Sequence, residues 1–163
     1  MRKLYLILPI FVLILSACAE KSVEKEHHDE HEHIQHNPLS GDLQELTAYD
    51  ELPSFLDSKQ EELKAVYKVA LQYADVLEWM PCYCGCGDSA GHKSNLNCFI
   101  KEINDDETVV WDDHGTRCLV CIEIALQSAK LSQEGKSIEE IRTIIDEQYH
   151  EGYASPTPTG MPA

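Results

Sequence analysis

The sequence predicts a mainly α, small single-domain fold with a cysteine-rich loop and a short hairpin segment. Three observations carry that expectation. Apolar residues recur at helical spacing from Leu63 to Leu77 and again across Cys118–Ala129 and Ile138–Tyr149. A proline stops the first of these runs immediately before a dense cysteine row. Few stretches alternate apolar and polar residues as a half-buried strand would.

In chain order, the first element is an export signal. Arg2 and Lys3 precede a twelve-residue, almost wholly apolar run from Leu4 to Leu15, short for a bilayer span and suited to a signal-peptide core. It ends in Leu15-Ser16-Ala17-Cys18, which resembles the lipobox of bacterial lipoproteins. That resemblance implies cleavage after residue 17 and acylation of the Cys18 thiol, so that lipid anchors the protein to the membrane without a spanning segment. The expected location is the extracytoplasmic side of the cell membrane.

Residues 18–45 lack apolar periodicity and read as a solvated tether. Within it, His27, His28, His31, His33 and His36 alternate with carboxylates, five of the chain's eight histidines in one stretch. Imidazoles interleaved with carboxylates suit borderline metals, so the segment is a candidate for secondary metal capture.

The folded domain is expected over residues 46–153. Ser58-Lys59-Gln60-Glu61 has capping-box spacing, with a short helical turn from Ser54. Leu63, Val66, Tyr67, Ala70, Tyr73, Ala74 and Leu77 then mark one helical face, with Tyr67, Tyr73 and Trp79 read as core. Pro81 delivers Pro81-Cys82-Tyr83-Cys84-Gly85-Cys86-Gly87, whose three thiols point to one side if the segment is extended. Such neighbours are poorly placed to bridge one another and well placed to converge on one soft ion.

Residues 88–97 read as loop. Cys98 to Ile103 and Thr108 to Trp111 suggest a small hairpin around an acidic turn that lacks the glycine and ligand series of a calcium loop. Cys118 and Cys121 open the buried face of the next helix, where a helix N-terminus favours thiolate. Gly135 closes that helix, and Ser137-Ile138-Glu139-Glu140 caps the last one. Residues 154–163 form an extended Pro/Thr tail.

With these elements placed, the sequence resembles a family of small bacterial lipoproteins named for a PCYCGC motif. The residues concerned are Pro81 to Gly87, Gly91-His92-Lys93-Ser94-Asn95, Cys98-Phe99, Trp111-Asp112-Asp113-His114-Gly115 and the Cys118–Cys121 pair. The resemblance implies a lipid-anchored extracytoplasmic protein and gives no mechanism.

Three functions compete for the six cysteines beyond Cys18. In the first, Cys82, Cys84, Cys86, Cys98, Cys118 and Cys121, completed by His92 and His114, bind Cu(I) or Zn(II) for storage, buffering or delivery. A metal-donor or acceptor protein is then the expected partner. In the second, the cysteines staple, or a structural zinc holds, a cell-surface interaction module, since export permits disulfides. In the third, Cys118 and Cys121 serve a thiol oxidoreductase, but the βαβ context of a thioredoxin-like fold is missing. No catalytic constellation is evident, and the protein is read as a non-enzyme. A formal charge of −16 argues against nucleic acid as a partner, because its phosphates would be repelled.

Overall fold

The structure is a computed structural model that describes residues 33–162. The signal segment, Cys18 and His27, His28 and His31 lie outside the described residues.

The architecture is mixed α/β, which corrects the mainly α expectation: among the described residues, five helices pack with a four-stranded antiparallel sheet of order β1-β2-β4-β3. The strands are β1 (Ile34–His36), β2 (Leu43–Ala48), β3 (Ile100–Ile103) and β4 (Thr108–Asp112). The predicted hairpin is β3–β4, with a register shift between Ile100 and Glu102. The unforeseen part is β1 and β2, which begin inside the segment read as a tether.

Their physical origin explains why they escaped the pattern. The buried residues of β2 are Gln44 and Glu45, which are polar. Burial is tolerated because each finds partners. Gln44 Nε2 donates to Asp112 Oδ2 at 2.8 Å. Glu45 accepts from the Ser54 backbone N–H at 2.7 Å and from Ser54 Oγ at 2.9 Å. A strand that buries polar residues shows no apolar alternation.

Helix α1 (Glu61–Gln72) starts after Gln60, which makes no side-chain cap; the expected Ser58 capping box does not form. The predicted apolar face is buried through Val66, Tyr67 and Ala70. The run breaks at Tyr73 (φ −114°), and a further turn, α2 (Ala74–Leu77), carries it to Pro81. The segment read as loop holds α3 (Cys86–Ala90) and a 3-10 turn over Asn95–Cys98. Helix α4 (Leu119–Gln133) has Cys118 at its N-cap, and α5 (Ile138–Tyr149) has the predicted Ser137/Glu140 capping box.

The core joins both halves. Tyr67 of α1 stacks edge-on against Phe99 at 5.3 Å and contacts Trp111 of β4. Its hydroxyl donates to the Asp112 carbonyl at 2.8 Å. Helices α1, α2 and α5 pack on α4. The C-terminal tail is not loose: it runs alongside the cysteine row, and Thr157 is buried. Arg142 of α5 clasps it, donating to the carbonyls of Trp79 at 3.0 Å and Gly160 at 2.7 Å. Among the described residues, no helix is long and apolar enough to cross a membrane.

Candidate metal centre

Four segments meet at one point between α4 and the sheet. The cysteine row arrives from α2, the His92–Cys98 segment follows it, the 3-10 turn after β4 brings His114, and α4 brings Cys118 and Cys121. All eight predicted core ligands therefore fall into one set of overlapping groups. Within each group the donor atoms lie within 4.8 Å of one another. Two sulfurs on one zinc stand at most about 4.6 Å apart, twice a bond of roughly 2.3 Å.

The row is not one extended strand. Cys82 and Cys84 precede a left-handed turn at Gly85 (φ +86°), and Cys86 is already in α3. Only glycine adopts that backbone without strain. The turn folds Cys86 back, so the three sulfurs converge even though the strand geometry ends after Cys84.

Cys121 is the hub. Its Sγ lies 2.8 Å from Cys118, 3.0 Å from Cys98, 3.3 Å from Cys82 and 3.7 Å from Cys84. Cys82 and Cys84 are 3.2 Å apart, and Cys86 and Cys98 are 4.0 Å apart. All six cysteines among the described residues are free. One sulfur facing four others is the geometry of ligands around ions, whereas disulfides join sulfurs in pairs.

The two histidines lie side by side against the sulfurs, their rings in edge contact with centroids 4.9 Å apart. His92 Nδ1 is 3.6 Å from Cys98 Sγ, while its buried Nε2 has no hydrogen-bond partner. His114 Nε2 is 3.9 Å from Cys84 Sγ, and its Nδ1 donates to Asp42 Oδ2 at 3.0 Å. That bond fixes the tautomer and turns Nε2 to the sulfurs, the carboxylate–histidine arrangement found behind metal ligands. Asp42 also accepts from Ser40 Oγ at 2.7 Å and pairs with Arg117.

The electrostatics are those of a mixed thiol–thiolate cluster. Hydrogen bonds from Cys121 hold Cys82 and Cys86 well below the ordinary thiol range. Contacts with Cys118 and Cys121 do the same for Cys84. Cys121 is pushed up by its sulfur neighbours, chiefly Cys118, and Cys98 is pushed up by burial. Cys118, Cys84 and Cys86, with Asp42 behind, raise His114 far above its usual value.

Sequence reasoning missed three supporting residues. Asp42 lay in the supposed tether, with no local signal. Asp112 caps the 3-10 turn by accepting from the His114 N–H at 3.0 Å, and its place in Trp111-Asp112-Asp113-His114-Gly115 was the available clue. Asn95 is fully buried, and its side chain donates to the Cys121 carbonyl at 3.1 Å. The remaining predicted capture residues within the described region, His33 and His36, are exposed at β1 and join none of these groups.

The fold and site thus define a small protein with a buried cysteine–histidine cluster compatible with a metal site. The chain belongs to the PCYCGC family, described as proteins of unknown function with a PCYCGC motif, whose family model matches residues 7–162. No curated protein and no solved structure matches it.

Proposed function

We propose that this protein is a lipid-anchored, extracytoplasmic metal-binding protein that holds Cu(I) or Zn(II) in its cysteine cluster for storage, buffering or delivery. The observation that carries the proposal is the hub at Cys121, with four other sulfurs within 3.7 Å. Thiolates suit Cu(I) and zinc, and His92 and His114 add nitrogen donors that zinc also accepts. Release is favoured by the cluster's open edge: Cys84, His114 and Cys118 are half-buried, whereas Cys82, Cys86, Cys98 and Cys121 are buried. A partner protein supplying or taking the ion would meet that edge. The histidines of residues 27–36 would collect ions ahead of the core. The proposed role is binding and not catalysis.

The test is native mass spectrometry of anaerobically purified protein, before and after thiol alkylation. Bound metal, with thiols released only on chelation, supports the proposal. A metal-free protein lighter by six hydrogens means three disulfides and the stapled interaction module. The anchor is tested separately by fractionation, because a Cys18→Ser variant that still partitions with membranes contradicts lipidation.

A further inference from the structure

We infer that the cluster is built for two ions, each held by three cysteines and one histidine, with Cys82, Cys98 and Cys121 along the boundary between them. The inference rests on the metal-binding reading and specifies the ion count and ligand sets.

The first set is Cys84, Cys118, Cys121 and His114, whose four donor atoms lie within 4.8 Å of one another. Three cysteines and a histidine form a closed four-coordinate zinc set. His114 can serve only one ion here, because its Nδ1 is committed to Asp42 and Nε2 alone faces the sulfurs.

The residues left over make a second set of the same composition: Cys82, Cys86, Cys98 and His92. Cys86 and Cys98 are 4.0 Å apart, and His92 Nδ1 is 3.6 Å from Cys98. Cys86, His92 and Cys98 share one group, whose fourth member is His114, and Cys82 shares a group with Cys86 and another with Cys98. All four side chains are buried, His92 at 4% exposure. A single four-coordinate ion in the first set would leave this second set idle inside the protein. His92 is the independent sign that it is not idle. Its ring is buried with one nitrogen against Cys98 and the other unpartnered, and buried polar atoms without partners are rare in native proteins.

The sets are contiguous. Cys82–Cys121 at 3.3 Å, Cys98–Cys121 at 3.0 Å and Cys82–Cys84 at 3.2 Å all cross between them. The first set contains the half-buried ligands Cys84, Cys118 and His114, whereas the second is wholly buried. The first ion is therefore the exchangeable one and the second the retained one.

Cadmium-113 NMR of the full chain in detergent, titrated with Cd(II) under anaerobic reducing conditions, tests this directly. Cadmium held by histidines 27–36 resonates far upfield of thiolate-bound cadmium and is counted apart. Two thiolate-type resonances are expected. Cys118→Ser should shift or remove one, and His92→Ala the other. A single thiolate-type resonance overturns the two-ion inference and leaves the metal-binding reading standing. None overturns both, and three or more overturn the division into these two sets. Loss of both resonances in either single variant that retains wild-type circular dichroism would overturn the division as well. The wild-type count does not depend on how the variants fold.

Discussion

Thr157 and Cys82 hold each other at two points. The Cys82 N–H donates to Thr157 Oγ1 at 2.8 Å, and the Thr157 N–H donates to the Cys82 carbonyl at 3.0 Å. Residues 75 apart in sequence thus fix the first cysteine of the row. Nearby, the Ala154 N–H donates to the Tyr83 carbonyl at 3.1 Å, and Thr159 Oγ1 donates to the Lys93 carbonyl at 2.6 Å. The tail acts as a strap along the backbone that carries the ligands. Replacing Thr157 by Ala leaves the buried Cys82 N–H without an acceptor, at a cost of about 1–3 kcal/mol. Thr157→Ala should lower stability by that amount and Thr157→Ser by less, measured by denaturant unfolding. Equal stability of the alanine variant and wild type would show that the strap is idle.

Asp42 acts on the cluster through His114. It accepts the Nδ1 proton and so presents Nε2 to Cys84 and its neighbours. Loss of such an outer partner costs roughly 10–100-fold in metal affinity. Asp42→Asn should weaken binding by that order in a chelator competition. Arg117→Ala, which removes an exposed partner of the same carboxylate, should weaken it far less. Matching affinities for Asp42→Asn and wild type would remove Asp42 from the site.

Gly115 is held by contact, not by backbone conformation. A Cβ there would stand 2.4 Å from Phe99 Cδ1 and 2.9 Å from the Cys98 carbonyl oxygen. No neighbour on that side can yield without moving the core ring or a ligand's backbone. Overpacking of this kind costs about 1–3 kcal/mol. Gly115→Ala should therefore lower the melting temperature even in metal-free protein. It should also weaken metal binding, because His114 adjoins it and Cys98 must shift. An unchanged melting temperature in the presence of chelator would contradict the close packing.

The site was more legible than the fold. Cysteines at fixed spacing announce their chemistry wherever the chain goes, so the eight residues that gather in the cluster could be named before their contacts were known. The helices were visible through apolar periodicity at Val66, Tyr67 and Ala70 and at Ile141 and Ile145. Strand β2 was invisible because its two buried residues, Gln44 and Glu45, are polar: Gln44 donates to Asp112, far along the chain, and Glu45 accepts from Ser54. Asp42 was hidden for the same reason: its partners His114 and Arg117 lie more than seventy residues away. The left-handed turn at Gly85 was hinted at by glycine alone. What local sequence encodes was readable, and what long-range polar pairing creates was not.

Cys121 supplies the strongest single test of the cluster. It is fully buried on the first turn of α4, and its Sγ approaches Cys118, Cys98, Cys82 and Cys84 between 2.8 and 3.7 Å. Serine in its place offers a harder oxygen on a shorter bond, a poor match for Cu(I) or a thiolate-bound zinc. A metal bound only by the folded state stabilises it by about 2.7 kcal/mol at a hundred times its dissociation constant. Thermal unfolding of wild-type protein should therefore show a metal-dependent rise in melting temperature that a chelator abolishes. In Cys121→Ser that rise should vanish, while Cys118→Ser, altered at the half-buried edge, should keep part of it. A rise in Cys121→Ser equal to that of wild type would remove the hub from the ligand set. Insensitivity to chelator combined with a fall on adding reductant would mean that the sulfurs are paired as disulfides.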